Sequence, residues 1–167
     1  PPGLRRPPTR LSGGGYNRAV WTTPDFGRVW TPVFHSPPTG SIGDIAVAPS
    51  NPNVIYVGSG EGVQRPDLST GDGLYKSTDA GKTWRHLGLR DGQQIGGVIV
   101  DPRDENRVFV AVPGHPYGPN PERGVYRSTT GGETFERVPY TDENTGAIRG
   151  RLHPNNAHTI YPTHWPR

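Results

Sequence analysis

The sequence has no cysteine and no methionine among its 167 residues. Without cysteine the chain has no disulfide, no thiolate metal ligand and no thiol nucleophile. Because ordinary translation starts with methionine, we expect this chain to be processed, excised or part of a longer protein. It also lacks an apolar run long enough to span a membrane, a signal peptide and any stretch of helical periodicity. These absences favour a β protein with no membrane span.

Outside the opening segment, the sequence has no excess of positive or negative charge. The net charge is +3, but Arg5, Arg6 and Arg10 lie in a Pro-rich start, and residues 15–167 carry no net charge. A protein that binds nucleic acid needs a basic face on its folded domain. We therefore expect no nucleic-acid partner.

Metal ligands in a recognisable spacing are also absent. His153, His158 and His164 are five and six residues apart, a spacing that neither a helix nor a strand presents on one face. We interpret them as solvated or turn histidines. The sequence predicts no metal site and no cofactor.

Glycine and proline, in contrast, are abundant, with 24 and 20 residues, and they accompany an internal repeat. Residues 77–84 read Ser-x-Asp-x-Gly-x-Thr-Trp, and looser copies of this box occupy residues 23–30 and 128–135. Separately, Pro49, Pro102 and Pro154 stand 53 and 52 residues apart. The first two end short apolar runs, whereas the last copy is degraded, with Arg149 and Arg151 in its first strand and Pro162 in its second. Two elements with one spacing indicate a structural repeat. The residues that we assign to the boxes are Asp25, Gly27, Trp30, Ser77, Asp79, Gly81, Thr83, Trp84, Ser128, Gly132, Thr134 and Phe135.

One period predicts four short antiparallel strands, at 45–48, 54–58, 73–77 and 82–87 in the best copy. Four strands in about 50 residues is the size of one propeller blade. The predicted fold is therefore all-β, with about three four-stranded antiparallel blades of the β-propeller type, as an incomplete ring or part of a larger propeller. We divide the chain into a flexible Pro/Arg-rich tail (1–14) and repeats (15–167), with approximate blades at 15–41, 42–94, 95–146 and 147–167, the first and last partial.

The box has a physical explanation as a turn. Asp79 can accept hydrogen bonds from amides of its own turn, and Gly81 permits the positive φ of a tight hairpin. The alternative is a catalytic or metal-binding role for Asp79. An aspartate repeated in every blade at a hairpin favours the turn.

At these boxes, and over residues 39–62, the sequence resembles the Asp-box (bacterial neuraminidase repeat) propellers. It is most similar to their sortilin-like and photosystem-assembly-factor-like group, which includes secreted bacterial proteins often labelled glycosyl hydrolases. The resemblance covers about residues 15–165 and implies an extracellular or periplasmic location. Sialidases, xyloglucanases and non-enzymatic receptors all carry the box, so it implies a fold and not an activity. Three blades do not close a ring, so we expect further blades or copies of the chain as partners.

Long, dissimilar loops at one end of the blades are the predicted functional face, which we call the loop face (residues 59–72, 86–94, 113–123 and 139–147). A glycoside hydrolase needs two opposed carboxylates there. Glu61 is the first candidate, with Asp67 or Asp72 as its partner. The alternative, that these are solvated loop carboxylates, is the favoured interpretation.

Other loop-face side chains suggest binding. A sialidase would need arginines for the substrate carboxylate, and the stiff Pro-rich loop around His115 and Tyr117 could stack on a sugar or peptide, or cover the axial channel. The predicted binding residues are Arg65, Arg90, His115, Tyr117, Arg123 and Tyr140.

Together these features predict a non-catalytic module that binds a protein or glycan through its loop face. The first alternative is a fragment of a sialidase-like or xyloglucanase-like glycoside hydrolase with a carboxylate pair. The second is a self-assembling structural subunit.

Overall fold

The protein is described by a computed structural model over residues 11–15, 19–39, 41–61, 69–138, 142–154 and 156–166. Throughout these ranges the regular secondary structure is β-strand. The thirteen strands are β1 (Leu11–Gly15), β2 (Ala19–Thr23), β3 (Thr31–Pro32), β4 (Ile42–Val47), β5 (Ile55–Ser59), β6 (Leu74–Ser77), β7 (Arg85–Gly88), β8 (Gly97–Asp101), β9 (Asp104–Val112), β10 (Gly124–Ser128), β11 (Glu136–Arg137), β12 (Thr145–His153) and β13 (Asn156–Pro166).

The strands form four consecutive antiparallel sheets. The first sheet has the order β1-β2-β3, the second β4-β5-β6-β7, the third β8-β9-β10-β11 and the fourth β12-β13. The second and third sheets are complete four-stranded meanders, in which every strand pairs with its neighbour in sequence. The predicted fold class is confirmed: the chain is a partial β-propeller.

Some strand boundaries differ from the prediction. β1 begins at Leu11, inside the segment predicted to be a tail up to residue 14, and residues 1–10 lie outside the described ranges. β7 begins at Arg85 and not at residue 82, because the turn extends through Thr83, whose amide donates to Asp79 Oδ1 at 2.9 Å. β13 continues through Pro162, since it pairs with β12 alone and an edge tolerates a missing N–H.

The box at residues 77–84 folds as the predicted turn. Ser77 Oγ accepts from the Gly81 amide at 2.8 Å, and Asp79 Oδ2 accepts from the Thr83 hydroxyl at 2.6 Å. Ala80 and Gly81 both take positive φ angles, of 63° and 91°. The Thr83 hydroxyl and amide and the Ser77 hydroxyl lower the pKa of Asp79 to about 2. These bonds account for Asp79 as a residue that shapes the hairpin.

The core lies between neighbouring sheets. Tyr56 of β5 is fully buried against the third sheet, and its hydroxyl donates to the Glu105 carbonyl at 2.9 Å. In the other direction, the Trp84 indole N–H donates to the Val33 carbonyl of the preceding segment at 2.5 Å. The largest apolar cluster joins the second and third sheets and includes Val54, Tyr56, Leu74, Ile95, Val98, Val108, Val110 and Val112. The second and third sheets therefore bury apolar residues on both of their faces, as propeller blades do.

Short turns and long loops lie at opposite ends of the sheets. At one end, the turn face, the boxes of the second and third sheets contact the chain around the turn between the first two strands of their sheet. The Ala80 amide donates to the Asn53 carbonyl at 2.9 Å, and the Gly131 amide donates to the Asn106 carbonyl at 2.8 Å. The loops that follow β5, β7 and β9 gather at the other end, the predicted loop face.

Candidate functional site

Asp72 is the centre of a polar cluster on the loop face, just before β6. Its carboxylate accepts from the Tyr75 hydroxyl at 2.5 Å and lies 3.0 Å from Arg90 Nε. Its amide donates to Ser59 Oγ at 2.7 Å, and its carbonyl lies 2.5 Å from His86 Nε2. We call these five residues the Asp72 cluster. Their bonds fix the direction of the Asp72 carboxylate relative to the sheet.

Tyr75 is an unusual member of this cluster because its ring belongs to the apolar core. The ring is 5% exposed and packs edge-on against Phe34 and His86, with centroids 5.3 and 4.8 Å away. Burial, together with the hydrogen bond to the Asp72 carboxylate, raises the pKa of Tyr75. The hydroxyl therefore stays protonated and serves Asp72 as a donor.

Glu61 lies at the other end of the same loop. Its amide donates to the Gln94 side chain, and its Oε1 accepts from the Ser69 amide at 3.4 Å. Glu61 and Asp72 directly follow Gly60 and Gly71, whose backbones touch, since a Cβ on Gly71 would lie 2.6 Å from the Gly60 Cα. The two candidate carboxylates therefore project from neighbouring points of one loop base. The third candidate, Asp67, and the predicted binding residue Arg65 lie outside the described residues.

Arg123 is buried, although we predicted that it would contact a ligand. Only 1% of the residue is exposed, and its guanidinium donates to the carbonyls of Pro113, His115 and Glu143 at 2.9, 2.6 and 2.7 Å. A side chain that is enclosed in this way holds the surrounding loops together through its hydrogen bonds and does not contact a ligand. The sequence offered no sign of this, because the three acceptors are backbone atoms of two separate loops.

The loop over Arg123 carries two other predicted binding residues. Tyr117 is 84% exposed, and His115 is half-buried. The loop is joined to the crossover after β7, because Asn120 Nδ2 donates to the Asp91 carbonyl at 2.8 Å and Glu122 Oε2 accepts from the Gly92 amide at 2.6 Å. Arg90, on that same crossover, is exposed on its outer side. Tyr140 lies outside the described residues.

An open cleft of about 650 Å³ lies between residues of β4, β8, β12 and β13, and the sequence did not predict it. Its lining includes Asp44, Gly97 and Arg149, which occupy one repeat position, five residues before the repeated prolines. Tyr161, also in the lining, holds the repeat position of Tyr56, which packs on the following sheet. The residues that line the cleft thus occupy positions that, in the second sheet, pack against a neighbouring sheet. We therefore interpret the cleft as a surface for packing between blades and not as a ligand site.

Within the described ranges, no group of three or more histidine and carboxylate side chains is placed to hold a metal ion. The same ranges include no helix that is long and apolar enough to cross a membrane.

No protein-family model matches the chain. In sequence it is similar to a probable oligoxyloglucan-reducing end-specific xyloglucanase of Neosartorya fischeri, with 30% identity over 102 residues. This alignment covers 57% of the chain and 10% of that protein. The chain therefore spans about a tenth of the length of the curated relative it matches.

In structure the chain is similar to three GH74 enzymes. The TM-score is 0.68 with the enzyme of Niastella koreensis (22% identity, 93% of this chain and 24% of that one) and 0.71 with an ancestral GH74 enzyme (19%, 92% and 20%). It is 0.68 with the GH74 xyloglucanase from Xanthomonas campestris (17%, 95% and 25%). These similarities show that the chain has a β-propeller fold, over a fifth to a quarter of the length of those enzymes.

Proposed function

We propose that the chain is part of a glycoside hydrolase of the propeller type and that its loop face binds a β-linked glucan such as xyloglucan. The observation that carries this proposal is the common loop base from which Glu61 and Asp72 project. The names of the similar proteins support it, since both comparisons find glycoside hydrolases. They favour the hydrolase alternative over the non-catalytic module that the sequence first suggested.

The two carboxyl groups would divide the chemistry of glycoside cleavage. The Asp72 carboxylate is paired with the Arg90 guanidinium and accepts a hydrogen bond from the Tyr75 hydroxyl. This environment suits a carboxylate that acts as base or nucleophile. Glu61 would then protonate the leaving glycosidic oxygen. In either geometry of glycoside hydrolysis one carboxyl group donates a proton, while the other activates water or attacks the anomeric carbon.

A second candidate function is recognition without hydrolysis, in the manner of the sortilin-like Asp-box propellers. The exposed ring of Tyr117 favours it, because an aromatic side chain at a loop tip can bind a glycan or protein without any acid–base chemistry. Both functions fit an extracellular or periplasmic protein, which we also propose as the location.

Hydrolysis and binding measured on the same variants test the proposal. We expect Glu61→Gln and Asp72→Asn each to lower reducing-sugar release from xyloglucan by at least about a hundredfold. Their affinity for a xyloglucan oligosaccharide, measured by titration calorimetry, should change little. Asp104→Asn, on the turn face, is the matched control and should leave both quantities unchanged. Binding without any hydrolysis by the unaltered chain would favour the second candidate function.

A further inference from the structure

The loop between β9 and β10 (residues 113–123, the Arg123 loop) is built around a buried cation. A guanidinium withdrawn from water is stable only where acceptors replace its hydration. Arg123 finds three backbone carbonyls, and two of them, from Pro113 and His115, belong to its own loop. The third, from Glu143, belongs to the segment before β12. Distorting the loop would leave a charged group unsatisfied, so its shape is strongly determined.

Local backbone chemistry reinforces this shape. Gly114 has a φ of 77°, and a Cβ there would lie 2.5 Å from Arg123 Cγ, so the loop wraps the arginine at a distance that only glycine permits. Pro116, Pro119 and Pro121 restrict the φ angles of the rest. Such restrictions lower the entropy that the loop would lose when a ligand binds.

The outer half of the Arg123 loop is also anchored. Asn120 Nδ2 bonds to the Asp91 carbonyl at 2.8 Å, and the Gly92 amide bonds to Glu122 Oε2 at 2.6 Å. Both partners belong to the crossover that carries Arg90, and Arg90 pairs with Asp72. The loop is therefore connected through the backbone to the Asp72 cluster.

Tyr117 stands at the tip of this anchored loop with 84% of its surface exposed. No internal packing explains an aromatic ring at that position, and a tyrosine offers a large contact area at a low cost in side-chain entropy. The axial C–H groups of a β-linked glucose or xylose form a flat apolar face that matches such a ring. We propose that Tyr117 is a sugar-stacking residue for β-linked pyranosides and that Arg123 is its positioning residue. This inference rests on the proposed function, since it assumes a glycan on the loop face.

Substitutions at Tyr117 separate stacking from other roles. Tyr117→Ala should weaken the binding of a xyloglucan oligosaccharide by about tenfold in titration calorimetry. Tyr117→Phe should bind as the unaltered chain does, because stacking needs the ring and not the hydroxyl. Tyr161→Ala removes a tyrosine that is 58% exposed outside the loop face and is the matched control. Tyr117 and Tyr161 are both exposed, so circular dichroism should show unchanged folding for all three variants.

A double-mutant cycle tests the role of Arg123. Arg123→Lys keeps the charge but not the three-way bonding, and it should weaken binding by about threefold by loosening the loop. In the Tyr117→Ala background the same change should have no effect on affinity, because a positioning residue acts through the residue that it positions. A loss of equal size in both backgrounds would show that Arg123 supports the fold in general and would overturn its assigned role.

The outcomes for the inference and for the proposed function are distinguishable. If the unaltered chain binds the oligosaccharide and Tyr117→Ala binds equally well, stacking is wrong while the proposed function stands. If Tyr117→Phe loses as much affinity as Tyr117→Ala, the hydroxyl makes the contact and the stacking proposal is again overturned. If the unaltered chain binds no glycan, both proposals fail.

Discussion

A single side chain in each box determines how firmly its hairpin closes. Asp79 accepts from both the amide and the hydroxyl of Thr83, at 2.9 and 2.6 Å. In the third sheet Thr130 takes the place of the aspartate, and its hydroxyl accepts from the Thr134 amide at 3.0 Å. A charged acceptor forms stronger hydrogen bonds than a neutral one. The third box is therefore the weaker version of the same turn.

Restoring the aspartate should strengthen this turn. We expect Thr130→Asp to raise the free energy of unfolding at pH 7, as measured in urea titrations. Because the turn of Asp79 lowers its pKa from 3.8 to about 2, the gain should be present above about pH 4 and should disappear as the pH falls towards 2. Thr129→Asp, one residue earlier in the turn, is the control and should bring no such pH-dependent gain.

The sequence predicted residue roles well where the acceptor and donor lie in one turn. The Ser-x-Asp-x-Gly-x-Thr spacing alone indicated that Asp79 bonds to its own hairpin, and the structure agrees. Arg123 was predicted to contact a ligand, and the sequence did not reveal that it is buried. Its burial depends on carbonyls from two loops that the sequence does not connect. The proximity of Glu61 and Asp72 likewise depends on Gly60 meeting Gly71 across eleven residues.

At the scale of the strand, residues at the same repeat position contribute differently to the stability of different sheets. Tyr56 on β5 is fully buried and donates its hydroxyl to the Glu105 carbonyl of the neighbouring sheet. Tyr161 on β13 holds the equivalent position and is 58% exposed. The hydroxyl of Tyr56 is part of a contact between sheets, whereas the Tyr161 side chain is largely exposed.

Removing the two hydroxyls should therefore have unequal effects. Tyr56→Phe should lower the free energy of unfolding by about 1 kcal/mol, because it leaves the partly buried Glu105 carbonyl without its donor. Tyr161→Phe should change it by less than about 0.5 kcal/mol. Urea unfolding curves of both variants provide the comparison. Equal effects would contradict the packing of β5 against the third sheet as described.

Strand number and order followed from the sequence, while strand ends did not. Short apolar runs and the turns that follow the repeated prolines predicted four strands in one period, and the second and third sheets have them. The start of β7 moved to Arg85 because hydrogen bonds within the box extend its turn, an effect that hydrophobic periodicity does not register. β1 went unpredicted because its Gly-rich sequence has no apolar alternation.

At the scale of the whole molecule, the first sheet presents an aromatic patch. Trp21, Phe26 and Trp30 are 39%, 62% and 42% exposed, although Trp84, the counterpart of Trp30, packs against the preceding segment. Exposed aromatic rings promote association. We call these three residues the aromatic patch.

The aromatic patch should make the chain associate in solution. We expect the weight-average mass from light scattering to rise with protein concentration, and the double variant Trp21→Ser with Phe26→Asn to reduce that rise. Asparagine suits position 26, where φ is 59°. Tyr117→Ser removes a single ring that is more exposed, at 84%, and it should leave the association as it is. A constant monomeric mass for the unaltered chain would contradict this prediction.

Hydrogen–deuterium exchange can show whether a glycan binds at the loop face and not at the turn face. With a saturating xyloglucan oligosaccharide, we expect slower amide exchange in residues 69–73, 90–94 and 113–123. Exchange in the turn-face residues 49–53 and 102–106 should stay the same. Protection confined to the turn face, or no protection at all, would rule out glycan binding at the loop face.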